Sequence, residues 1–193
     1  IKVREAGLRN VLVTAGYMND EPMRELYKHV DAANIDLKAM SDEFYVKICD
    51  ATLKPVLNTL VVAKSMGVIV EVTNLVIPTL NDGDAMLRDL CRWVAGNLGK
   101  ETPLHFSRFF PLYRMANLPP TPASTLDRAW EIARAEGLHH VYVGNIMRPH
   151  GSDTMCHSCG HELIKRQRYT ILENAVKDGR CPKCGTIVYG VWK

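Results

Sequence analysis

Residues 55–76 read PVLNTLVVAKSMGVIVEVTNLV, and this stretch decides the fold. Pro55 suits the opening turn of a helix, Gly67 suits its stop, and residues 68–76 are a β-branched run. A helix that passes through one glycine into a strand is half of a repeating βα unit. The same alternation continues on both sides. Upstream, residues 10–14 predict a strand and residues 20–33 a helix, with Pro22 near its start and Met23, Leu26 and Val30 at helical spacing. Residues 33–38 predict the next strand and SDEFYVKIC, 41–49, the next helix. Downstream, residues 82–98 place Leu87, Leu90, Val94 and Leu98 on one stripe before Gly99, and residues 104–110 return as a strand. A last helix is expected from Ser124, three residues before Asp127 in a capping-box spacing; it presents Leu126, Ala129, Trp130 and Ala133 and stops at Gly137. The strand VYVG follows.

Five strands without a G-x-G-x-x-G after any of them favour a barrel-type sheet over a dinucleotide-binding one, and five are too few to close an eight-stranded barrel. The expected class is therefore α/β, a partial (β/α) barrel over residues 1–150. Such a sheet has an open edge that another segment or a partner must cover. Because the chain opens on Ile1 rather than Met, it reads as a fragment whose first strands lie upstream.

The 193 residues are 47% apolar and 23% charged, which excludes disorder and fits one domain plus a small module. A net charge of +3 from 24 basic and 21 acidic residues gives no general reason to bind nucleic acid. Runs such as 68–72 are broken by Glu71 and are too short for a membrane span. The charged start IKVREAGLRN lacks the apolar stretch of a signal peptide, so a cytoplasmic location is expected.

At about residue 151 turn residues, cysteines and basic side chains take over, defining a second module at 151–193. Cys156 and Cys159 form one C-x-x-C pair, Cys181 and Cys184 another, and 21 residues intervene. Two residues between cysteines let both thiolates of one turn reach a common ion, and Gly160 and Gly185 permit the tight knuckle. Four thiolates leave no open coordination position, so the role is structural, with zinc expected and iron as the alternative. Lys165, Arg166, Arg168 and Lys183 can offset the net charge of minus two on a zinc with four thiolates. His157 and His161 flank the first knuckle without being needed. Cys49 and Cys91 sit in helical stripes and read as core packing; His29, His139 and His140 read as surface histidines.

Residues two apart in a strand share a face, so Asp36 with Lys38, Glu71 with Thr73, and His105 with Ser107 form polar pairs on three successive strands. Each pair alone could be an ion pair or hydrogen bond closing a barrel mouth. Three in succession point to a polar pocket, at the end of the sheet where α/β barrels place their sites.

At NIDLKAM, VEVTNLVIPTLND, PLHFSRFFPLYRM, VYVGN and the final C-x-x-C pairs, the chain resembles the radical S-adenosylmethionine (SAM) enzyme of the AmmeMemoRadiSam system, a family similar to pyruvate formate-lyase activating enzyme. The resemblance runs through the whole chain in order. It implies SAM bound against a four-iron, four-sulfur cluster, reductive cleavage to a 5′-deoxyadenosyl radical, and hydrogen abstraction of the glycyl-radical-activase kind. It also implies Asp36 toward the ribose hydroxyls and Lys38 toward the methionyl carboxylate; Thr14 and Gly16 join Glu71, Thr73, His105 and Ser107 of the strand-face pairs as pocket candidates. The family's C-x-x-x-C-x-x-C and G-G-E-P-like motifs are absent here, Thr73 replaces an arginine, and T-A-G-Y at 14–17 replaces T-N-G. The chain alone is therefore expected to be inactive, with the cluster ligands upstream. The partner is an unidentified protein or small-molecule substrate, with other proteins of the same system as candidates. The competing reading is a non-catalytic zinc-ribbon binding protein on an incomplete α/β scaffold.

Overall fold

The computed structural model describes residues 2–146, 151–167 and 170–192. After a short helix α1 (Lys2–Glu5), five strands alternate with helices: β1 (Val11–Thr14), α2 (Asp20–Tyr27), β2 (Ala32–Asp36), α3 (Asp42–Cys49), α4 (Leu53–Ser65), β3 (Ile69–Val76), α5 (Asp84–Asn97), β4 (Leu104–Arg108), α6 (Ala123–Ala135) and β5 (Val141–Gly144). A single 3-10 turn, Tyr113–Met115, interrupts the long connection before α6. All five strands are parallel and lie in sequence order, β1-β2-β3-β4-β5. That order is a singly wound sheet, the partial-barrel class expected.

Period-two alternation separates the faces. Ala33, Ile35, Val70, Val72, Val76, Leu104, Phe106, Val141 and Val143 are buried beneath the helices, where they meet Val56, Leu60, Leu87, Leu90, Leu126 and Ala129. The opposite face stays half-exposed, and it carries the polar residues. The stripe Leu87, Leu90, Val94 and Leu98 is buried, as its spacing required. Cys91 lies in the same core with its thiol pushed up to about 12 by burial, and half-buried Cys49 packs against it.

Several local features depart from the sequence reading. Helix α2 stops at Tyr27 rather than 33, because Ala32 and Ala33 are taken into register with Val11 and Leu12. Its buried stripe is Met23 and Tyr27, and Leu26 is exposed. Helix α4 starts two residues before Pro55, with the Leu53 amide capped from a distance by Asp42 Oδ1 at 2.9 Å. The box expected at Ser124 and Asp127 does not form: Pro122 holds the cap position and Ser124 lies inside α6. Ser41, by contrast, caps α3, its hydroxyl accepting from Phe44 N–H at 3.1 Å.

The second module is a three-stranded antiparallel sheet, β6 (Thr154–Met155), β7 (Glu162–Gln167) and β8 (Thr170–Asn174), with its own small core of Cys156, Leu163, Ile164, Cys181 and Val188. The expected junction at 150/151 adjoins residues 147–150, which, like Arg168, lie outside the described residues. No helix among the described residues is long and apolar enough to cross a membrane.

The two edges of the parallel sheet differ. At β5 the indole of Trp130 donates to the Val141 carbonyl at 3.2 Å, and Val143 N–H donates to the Gly151 carbonyl at 2.8 Å. That edge is covered. At β1 no strand pairs with the outer side among the described residues, and Val13 is 83% exposed on the polar face.

Candidate functional site

Register determines which polar side chains meet. Asn34 pairs with Glu71, Asp36 with Thr73, Thr73 with His105, and His105 with Tyr142, so these residues share one face across four strands. Two cross-strand bonds and one local pair organise them. Thr73 Oγ1 donates to Asn34 Oδ1 at 2.7 Å. His105 Nε2 lies 2.9 Å from Glu71 Oε2, and since an ionised carboxylate only accepts, the imidazole proton sits on Nε2. This bond holds the Glu71 carboxyl below its ordinary value despite burial. Lys38 Nζ meets Asp36 Oδ2 at 2.6 Å at the C-terminal end of β2. Ser107 stands opposite Leu75 and Gly144 on the same face.

Two pocket candidates lie elsewhere. Thr14 is in register with Ile35, on the helix-covered side of the sheet, where its hydroxyl accepts from Gly16 N–H at 3.1 Å. Gly16 adopts φ +68, and a Cβ there would stand 2.7 Å from Ile35 Cγ2. Its role is to let the chain turn against β2, a conformation that favours glycine.

The second module completes the lower half of the site. His105 stacks on Tyr142 at 5.0 Å between ring centroids, Tyr142 Oη lies 2.8 Å from Thr154 Oγ1, and that oxygen accepts from the Arg166 guanidinium at 2.8 Å. Burial raises the Tyr142 phenol. Arg166 also donates to the Ser152 carbonyl, and its backbone N–H to Asp153. The guanidinium expected to offset the thiolate charge is thus held by Ser152 and Thr154. Between these groups lies a cavity of about 500 Å³, lined by Glu71, His105, Tyr142, Arg166, Tyr189 and Trp192 among others. It has the size of a small-molecule site.

The four ribbon thiols come together, all within 4.8 Å of one another. Cys156 and Cys184 sulfurs stand 3.6 Å apart, Cys159 and Cys181 sulfurs 3.7 Å. A tetrahedral ion with sulfur at about 2.3 Å separates its ligands by about 3.8 Å, so the geometry fits a four-thiolate metal site. Each knuckle closes the same way: Gly160 N–H donates to the Cys156 carbonyl and Gly185 N–H to the Cys181 carbonyl, both at 2.9 Å. Within the cluster the Thr186 hydroxyl and amide draw the Cys184 thiol down, while Cys159 among the same sulfurs is pushed up.

Histidines link the ribbon to the sheet. His157, inside the first knuckle, stacks on His139 at 4.0 Å, and His140 is only 5% exposed, so the expectation of a surface position fails for it. Burial pushes His140 down to about 4. His29 stays half-exposed.

The sequence does not single out Asn34 or Tyr142, and it offers Arg166 only as a counter-charge to the thiolates. Asn34 carries a signal, two residues before Asp36 in one strand; Arg166 carries none, because its place follows from how the ribbon docks.

Comparison with known proteins bears on the fold. The chain is 47% identical over 184 residues to the uncharacterized protein MJ0808 of Methanocaldococcus jannaschii, covering 94% of this chain and 54% of that protein. It thus spans about half the length of this curated relative. No family model matches. Among solved structures, a domain of pyruvate-formate lyase-activating enzyme from Bacteroides vulgatus aligns with TM-score 0.64 at 13% identity, over 75% of this chain and 86% of that one. A radical SAM methyltransferase from Sphaerobacter thermophilus gives 0.57 at 16%, over 72% and 42%. TYW1 with a lysine-pyruvate adduct bound gives 0.50 at 14%, over 70% and 43%. The fold is that of radical SAM enzymes.

Proposed function

We propose that this chain is the SAM-binding portion of a radical SAM enzyme, with Asp36 accepting from the ribose hydroxyls and Lys38 pairing with the methionyl carboxylate. The observation that supports this most is the placement of the Asp36 and Lys38 pair at the C-terminal end of β2, on the half-exposed face of a singly wound parallel sheet. Ligands of α/β sheets bind at that end of the strands. The ammonium has three donors and Asp36 occupies one, so two remain for a carboxylate.

A four-iron, four-sulfur cluster would supply the electron for reductive SAM cleavage, but the residues present do not fit it. Outside the ribbon, the described cysteines are Cys91, buried in the core, and half-buried Cys49. The reading therefore assigns the cluster ligands to sequence outside this chain, and the uncovered β1 edge, with Val11 and Val13 exposed, is where further strands would continue the sheet. In this reading the ribbon holds a structural zinc, and the longer protein acts within the AmmeMemoRadiSam system.

The test is anaerobic reconstitution of the product of the complete open reading frame, followed by iron and sulfide assay. One cluster in addition to the ribbon's metal, with release of 5′-deoxyadenosine on reduction, is expected. Metal confined to the ribbon would overturn the proposal and leave a binding protein.

A further inference from the structure

The backbone of Lys38 is held from three directions. Its N–H donates to Tyr45 Oη at 3.0 Å, from helix α3. Its carbonyl accepts from Asn74 Nδ2 of β3 at 3.0 Å and from Asn81 Nδ2, in the turn before α5, at 2.7 Å. Asn74 also donates to the Leu37 carbonyl and Asn81 to the Leu75 carbonyl, both at 2.8 Å, while Asn81 Oδ1 accepts from Ile77 N–H at 2.6 Å. Tyr45, Asn74 and Asn81 are all at least 97% buried.

A carbonyl past the end of a strand needs one donor or a water, yet two buried carboxamides converge on this one. The arrangement is costly. Asn74 Oδ1 is itself buried with no hydrogen-bond partner among the described residues, so an apolar side chain at 74 would remove an unsatisfied atom. What Asn74 and Asn81 achieve in return is local: they fix the φ and ψ of a residue that lies beyond β2, where the ladder is ending. The side chain so fixed carries the ammonium that meets Asp36.

We infer that Tyr45, Asn74 and Asn81 are positioning residues for Lys38. They set the spacing of the Lys38 ammonium and Asp36 carboxylate at the mouth of the sheet, presenting them as one pre-organised acceptor of a ligand that carries a carboxylate and neighbouring hydroxyls. The identity of that ligand as SAM rests on the reading above; the positioning does not. None of the three touches the ligand, and each acts through the backbone of residue 38.

The experiment is site-resolved lysine acylation of the full chain, read by mass spectrometry, with Lys47, Lys54 and Lys100 as internal references. Asn81→Asp keeps the acceptor for Ile77 and removes the donor to Lys38. Asn74→Leu removes the other donor at similar volume. Each variant loses its bond to the Lys38 carbonyl together with one to Leu37 or Leu75, and is expected to raise Lys38 acylation at least about fivefold relative to the references, the factor that one hydrogen bond of ordinary strength corresponds to, and to weaken SAM binding by a similar factor in calorimetry. Tyr45→Phe, a milder change that preserves the core, covers the case in which an asparagine variant fails to fold, and is expected to act in the same direction. Acylation that rises equally at all lysines, or a Lys38 rate unchanged in a folded variant, would overturn the inference. Selective release of Lys38 in a chain that shows no affinity for SAM would uphold the positioning and refute the ligand.

Discussion

The parallel sheet and the ribbon are stabilised by different physics, although both end in the same cavity. The sheet buries a continuous apolar core between its strands and five helices, and its polar face can remain open because that core holds the strands in place. The ribbon has five buried core residues, and two of them are cysteines. So small a core cannot offset the entropy of ordering its strands. A metal on the four thiols would supply what the apolar burial lacks. The shape of the sheet therefore rests on apolar packing, whereas the lower wall of the cavity, Thr154 and Arg166, belongs to a module whose order would depend on the thiol cluster two residues from Thr154.

The largest expected effect separates the two regions outright. Removal of the metal by chelation, or Cys181→Ser, withdraws binding energy of about 10–16 kcal/mol in sites of this kind. Amide exchange should show β6–β8 losing protection while β1–β5 retain theirs; simultaneous loss in both would mean that the sheet depends on the ribbon. The converse perturbation is Phe106→Ala beneath the sheet, expected to cost about 3–5 kcal/mol in urea unfolding with metal content unchanged.

The contact between the regions is expected to respond to acid. His140 is buried at the sheet end next to His157 of the ribbon, with its folded-state value near 4 against an ordinary value of 6.5. Between those values the unfolded chain takes up the proton first, so this contribution is complete above about pH 6.5 and disappears as pH falls toward 4. Its full size is about 3 kcal/mol. His140→Phe should flatten the stability profile over that window. A profile equally steep in the variant would place the acid sensitivity elsewhere. The smallest effect is that of Tyr142→Phe, which removes the hydroxyl bonded to Thr154 at an expected cost of about 1 kcal/mol, and raises exchange in β6 more than in β4.

Much of this was legible beforehand, for identifiable reasons. Strand and helix order followed from periodicity, because residues such as Leu87, Leu90 and Val94 have one physical destination. The thiol cluster followed from spacing, since a C-x-x-C pair constrains its own geometry. Boundaries set by distant partners were not legible: the early stop of α2 depends on pairing with β1, and the start of α4 on Asp42. The polar face was visible as Asp36, Glu71, Thr73 and His105, but the bonds within it were not. Glu71 reaches His105 diagonally across the sheet, because the register sets His105 opposite Thr73, two residues further along β3. His140 misled because a helix-end histidine is ordinarily solvated, and here the docked ribbon covers it.

The proposed pairing of Asp36 and Lys38 with SAM at the end of β2 is open to calorimetric titration of SAM into the reconstituted full-length protein and its Lys38→Met variant. Saturable binding is expected, weakened at least about tenfold by the substitution through the loss of one charge-assisted pair. Equal affinity in the two proteins, or no binding in either, would contradict it.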